Sequence, residues 1–128
     1  MLVNLTPHAM HIYPVRTPAR ITPGSTAPVR VIAPCTDYPP ARLGETILGF
    51  DNYVDTDIPV YRIRFGGDNS SPLPAATAGT WYIVSRPVAL AHPYRDDLLV
   101  PHGTVRDLDG NVLGSTGFAR PMPPEVIP

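Results

Sequence analysis

The chain has 128 residues, one cysteine, and ten basic against eleven acidic groups, for a net charge near −1. That length makes one domain and buries a core without staples. The charge balance excludes the electropositive footprint of a nucleic-acid binder, and the lone Cys35 excludes both a disulfide framework and a Cys-rich zinc module. No apolar run approaches the ~18 residues of a membrane span, and the Met-Leu-Val-Asn start has neither a basic nor an apolar leader region, so a soluble cytoplasmic protein is expected. The 18 prolines are about three times the usual ~5% share. Proline ends helices and is excluded from central strand positions, and glycines punctuate the two longest proline-free stretches, so a helical bundle is close to excluded.

In chain order, Leu2 to Tyr13 reads as a first strand interrupted or started by Pro7, with Met10 and Ile12 on one side and His11 and Tyr13 on the other. Pro23-Gly24-Ser25 marks a turn, Val29–Ile32 a β-branched strand, and Pro34 to Arg42 an irregular connection. Thr46 to Tyr53 is a further apolar stretch. Val60–Phe65 alternates most cleanly, Tyr61, Ile63 and Phe65 on one face and Arg62 and Arg64 on the other, the pattern of a half-buried antiparallel strand. The loop from Gly66 through Gly79 is long enough to be a lid, an interface arm or disorder. Trp81–Val84 is continuously apolar, as in a strand covered on both faces. Val88–Ala91 reads as one helical turn after Pro87, and Leu98–Val100 is short and apolar. Asp109-Gly110 between Thr104–Asp107 and Asn111–Phe118 is a hairpin signal. The expected fold is all-β and mainly antiparallel, a small barrel or sandwich with one or two short helical turns at most. A single domain over 1–120 is expected, with a Pro-rich extended tail over 121–128.

Most chemical motifs fail on spacing. Asp107, Asp109 and Asn111 alternate like a calcium loop, but Val112 and Phe118 stand where the loop needs Gly and Glu. His8 and His11 share a face only in a helix, and the local alternation is that of a strand. No nucleophile elbow and no nucleotide-phosphate loop occurs, and Cys35 has no neighbouring His. A small hydrolase built on His8 with Asp97 or Cys35 has no supporting spacing. No metal and no cofactor is expected.

The remaining signal is cationic and polar. All ten basic residues are arginine, whose planar fork suits phosphate and carboxylate; a GC-rich genome accounts for the same bias. Arginines at strand ends must pair with a carboxylate such as Asp96, Asp97 or Asp107, or with a ligand anion. Thr6, His8, Arg30, Arg86, Arg95 and Arg106 are the candidate ligand-binding residues, with Trp81, Tyr82 and Phe118 as stacking surfaces.

The start Asn4-Leu5-Thr6-Pro7-His8-Ala9 resembles that of small proteins of bacteriophages and actinobacteria. So do Tyr82-Ile83-Val84-Ser85-Arg86, then Arg95-Asp96-Asp97-Leu98-Leu99-Val100-Pro101, then Val105-Arg106-Asp107 with Gly110 and Gly114. The likeness covers both ends and most of residues 80 to 120, the middle being looser. It implies a phage, prophage or actinobacterial accessory protein acting in the cytoplasm (the host's, if phage-encoded), and no particular activity. The chain departs from the pattern in lacking lysine and in its Pro-rich loop Ser71–Gly79.

Two functions are expected to compete. One is a non-enzymatic protein that holds a small anionic, nucleotide-type ligand, sequestering a host signal and working as a homo-oligomer. The other is a structural or interaction protein that docks on a phage or host protein through β edges and Pro-rich arms.

Overall fold

Proline sets the lengths of the strands. In the computed structural model, which describes residues 1–66 and 70–122, β1 (Leu2–Asn4), β2 (Met10–Ile12) and β3 (Arg30–Ile32) are three residues each, cut short by flanking prolines and turns. The proline-poor middle gives β4 (Glu45–Val54) and β5 (Ile58–Phe65). Then come β6 (Trp81–Ile83), the single turn α1 (Arg86–Leu90), β7 (Leu98–Arg106) and β8 (Val112–Ala119). The chain is all-β, as its composition requires, and no helix among the described residues is long and apolar enough to cross a membrane.

Six strands form one sheet in the order β1-β6-β7-β8-β2-β3, and β4 and β5 pair only with each other. The antiparallel β7–β8 hairpin dominates the larger sheet, while β1–β6, β6–β7 and β2–β8 are short parallel contacts. Asp-Gly does turn β7 into β8: Gly110 lies at φ +88° and Asp107 N–H donates to the Asn111 carbonyl at 2.9 Å. Beyond β3, Pro34 bridges back to Asn4, and Cys35 N–H donates to the Asn4 carbonyl at 2.8 Å. This seam brings the two edges of the sheet together into a nearly closed barrel.

Three local expectations change. Leu2–Tyr13 is two strands in different places, because residues 5–9 turn instead of continuing the pleat. The Ser71–Gly79 loop is neither lid nor arm. Leu73 packs on the core, Tyr82 Oη donates to the Ala75 carbonyl at 3.2 Å, and the Met1 ammonium donates to the Gly79 carbonyl at 2.6 Å. Within the Gly66–Ser71 stretch, residues 67–69 lie outside the described residues, as do 123–128 of the expected tail.

The third change concerns β5, which alternates as expected but is half-buried against nothing. Its antiparallel partner β4 is the other half of a two-stranded arm, and neither strand makes extensive contact with the body.

The core lies under β6. Leu5, Tyr82, Val84, Val88, Ala89, Leu98 and Val100 cluster on one side, α1 closing the end, and Tyr13, Ile21 and Val105 form a second, smaller cluster. Each fully buried aliphatic contributes about 1.5–3 kcal/mol.

Candidate functional site

The polar start of the chain is a structural device. Asn4, 2% exposed, donates through Nδ2 to the carbonyls of His8 (2.8 Å) and Ile32 (3.0 Å). Its Oδ1 accepts from Thr6 N–H (2.9 Å) and Thr6 Oγ1 (2.7 Å). The buried Thr6 hydroxyl shares its one proton between Asn4 Oδ1 and the His8 carbonyl, 3.0 Å away, and accepts from His8 N–H at 3.4 Å, so its hydrogen bonds are spent on the turn. His8 and His11 nonetheless reach one recess of about 600 Å³ with Met10, Tyr13 and Val112, because the turn at 5–9 breaks the alternation that would have separated them. Among the described residues, no three His, Cys, Asp or Glu side chains gather as a metal site.

The candidate arginines do not converge. Arg95 lies three residues before β7 and Arg106 ends it, so the strand's length of roughly 26 Å at ~3.3 Å per residue stands between their ends. Arg106 donates to the Gly110 carbonyl at 2.9 Å, inside its own hairpin. Arg86 opens α1 beyond the far end of β6, exposed and without a polar partner among the described residues. Arg30 is exposed on β3, opposite Ile12. Of these four, only Arg95 faces aromatic surface among the described residues, its guanidinium 5.8 Å from the Tyr82 ring centroid, and it is already occupied. Nε and Nη2 fork onto the two oxygens of Asp97 at 2.8 Å each.

Each partner favours the charged form of the other. The Arg95 hydrogen bonds hold the Asp97 carboxyl below the usual carboxylate range against the opposing effect of burial, and Asp97 in turn raises Arg95. A depressed carboxyl adds stability that is present above the unfolded value of ~3.9 and lost as pH falls through the lower folded value. Asp97→Asn is expected to cost about 2 kcal/mol near neutrality, since it removes charge-assisted bonds from a pair whose side chains are 23% and 11% exposed. Melting curves of the two proteins are expected to differ constantly from neutral pH down to the ordinary carboxylate range and to converge below it. A pH-independent difference would overturn this account.

Beside Arg95 lies a recess of about 360 Å³ lined by Thr77, Gly79, Trp81, Asp96, Asp97 and Arg120. Asp97 and Trp81 are fixed by the parallel β6–β7 pairing, and Arg120 follows the end of β8. Its guanidinium sits 5.9 Å from the Trp81 ring centroid. Among the described residues the ion pairs are Arg95–Asp97 and a long, exposed Arg62–Asp51 contact of 3.9 Å, so Arg120 has no carboxylate within ion-pair distance, although Asp96 and Asp97 line the same recess. The missed signal was positional: Val100 pairs with Ala119, which carries Arg120 to the start of β7, where Arg95 already lies.

The arm is the other unusual surface. Register places Ile47 opposite Ile63, Phe50 opposite Tyr61, and Tyr53 opposite Pro59, with Phe65 at the base, all on one face. Phe50 meets Tyr53 edge-on at 4.9 Å and Tyr61 at 6.0 Å between centroids. Thr46, Arg62, Arg64 and Asn52 take the other face. The apolar face is amphipathic design without a floor: its six large side chains are 39–68% exposed. Sequence alternation found this face, but alternation cannot tell what covers it.

Comparison of the chain with protein-family models, curated proteins and solved structures finds no match.

Proposed function

We propose that the protein is a non-enzymatic docking protein that engages another polypeptide through the β4–β5 arm. What carries the reading is the uncovered apolar face of that arm. Soluble chains rarely leave a contiguous apolar patch of this kind exposed, and an isolated two-stranded hairpin is marginally stable in water. Apart from Glu45, which stands opposite Phe65 at the base, the charges of the arm sit on its opposite face and its tip, which leaves the aromatic centre of the face free to desolvate. The test is amide exchange in whatever complex the purified chain forms. Amides of 47–50 and 61–65 are expected to become protected on association. Phe50→Asp/Tyr61→Asp is expected to abolish the complex while the barrel keeps its melting temperature. Arm amides equally unprotected with and without a partner would overturn the proposal.

A second reading is supported by one observation, Arg120 stacked on Trp81 without a carboxylate partner among the described residues. In this reading the recess holds a small planar anion, of the nucleotide type that a phage protein sequestering a host signal would take. The guanidinium binds the anionic group and the indole stacks the ring. Titration calorimetry with a panel of mono-, di- and cyclic nucleotides is expected to give heat that Arg120→Ala and Trp81→Ala each reduce at least tenfold in affinity, equivalent to about 1.4 kcal/mol. No heat from any of them would remove it.

A further inference from the structure

We infer that the partner of the arm is a second copy of this chain, the two arms packing face to face and antiparallel about a two-fold axis near Phe50 and Tyr61. This rests on the docking reading above and specifies its occupant.

Three features favour self-pairing. The first is area. Aromatic side chains bury about 150–250 Å² each, so six large side chains at roughly half exposure offer about 600–750 Å² per chain, and two copies reach the 1,200–2,000 Å² of a stable interface.

The second is charge. Between Ile47 and Tyr53 on β4, and between Pro59 and Ile63 on β5, the apolar face carries no ionisable side chain except the tyrosine phenols; Glu45 stands opposite Phe65 at its base, and Arg62, Arg64 and Asp51 belong to the other face. Apposing the face with itself about Phe50 and Tyr61 therefore brings no like charges together at its centre, and the two Glu45 residues fall at opposite ends of the contact. An antiparallel hairpin face is also close to self-complementary under a two-fold rotation, the condition for an isologous contact.

The third is continuity with the body. Phe65, at the base of the apolar face, also lines a groove of about 840 Å³ with Pro7, Pro40, Leu43 and Val88. In the antiparallel arrangement the tip end of one apolar face, where Tyr53 is more than half exposed, comes over the base of the other, beside this groove. The bulges in β4 after Ile47 and Phe50 disfavour the alternative of edge-to-edge strand addition there.

The test uses the whole chain. Light scattering at micromolar concentration is expected to give twice the 13.9 kDa of one chain, and Phe50→Asp/Tyr61→Asp is expected to halve it without shifting the melting of the barrel. In a Cys35→Ser background, Phe50→Cys is expected to form a disulfide-linked dimer under mild oxidation, and Arg64→Cys, on the opposite face, to form none. Two results overturn the inference, and they differ in what else they remove. A monomer whose arm binds the apolar dye ANS, with binding lost in the double variant, rules out self-pairing and leaves the face open to a different polypeptide. A monomer whose dye binding is unchanged by the double variant rules out both self-pairing and docking through this face.

Discussion

Asn4→Ala is expected to lower the melting temperature by roughly 12 °C, the largest effect of any single polar truncation in the chain. Asn4 makes four side-chain hydrogen bonds in a site only 2% exposed to water. Truncation leaves the Thr6 amide without its acceptor and the His8 and Ile32 carbonyls without this donor. Buried groups left unsatisfied cost about 1–3 kcal/mol each, and partial relaxation brings the total to about 3–4 kcal/mol. Asn4 also carries the seam, since its backbone carbonyl receives Cys35 N–H while its side chain holds Ile32. Asn4→Asp separates the two functions of the amide. The carboxylate keeps the acceptor for Thr6 but has no hydrogen to give His8 and Ile32, and it sets negative charge against their carbonyls. It is expected to be at least as damaging as alanine. A thermal melt of Asn4→Asp matching the parent protein would show that donation across the seam is dispensable.

Gly114→Ala is expected to do comparable harm for a different reason. Gly114 sits where β8 passes β2, and a methyl group there would fall on the His11 carbonyl oxygen, 2.9 Å from a Tyr13 ring carbon and 3.0 Å from the His11 Cβ. Backbone cannot step aside as a flexible side chain can. The parallel β2–β8 contact is a single registered pair, Ile12 with Ser115, so it has little to lose before it opens. Overpacking of this kind costs about 3 kcal/mol or more. Gly117→Ala on the same strand is the control, because its added methyl meets nothing within 4 Å. A Gly114→Ala protein that melts within a few degrees of Gly117→Ala would remove the steric explanation.

The all-β class, a single helical turn at Pro87 (Arg86–Leu90, two residues earlier at its start than the expected Val88–Ala91) and the Asp-Gly hairpin were legible because each depends on local chemistry: proline geometry, strand period and a left-handed glycine. The neighbours of each strand were not legible. Leu2–Asn4 lies beside Trp81–Ile83 through contacts between residues 79 positions apart, which no window of sequence displays. The arginine set failed for the same reason. Strand ends close in sequence, such as Arg86 and Arg95, were carried to different ends of the barrel, while Arg120 came in from β8 to stand over Trp81. Thr6, a candidate ligand contact by sequence, instead has Asn4 and the backbone as its partners.

The pairing of β1 with β6 also dictates an order of assembly. During synthesis, residues 2–4 have no strand to join until residue 83 has left the ribosome, about eighty residues later. The arm closes on itself through neighbours only a few residues distant, and hairpins of that sort form in about 1–10 μs. Its aromatic face is therefore on offer to nascent neighbours while the rest of the chain is still unfinished. On polysomes, where copies emerge side by side, that timing favours cotranslational encounter between sister chains and makes the same segment the first point at which overexpression would lead to aggregation.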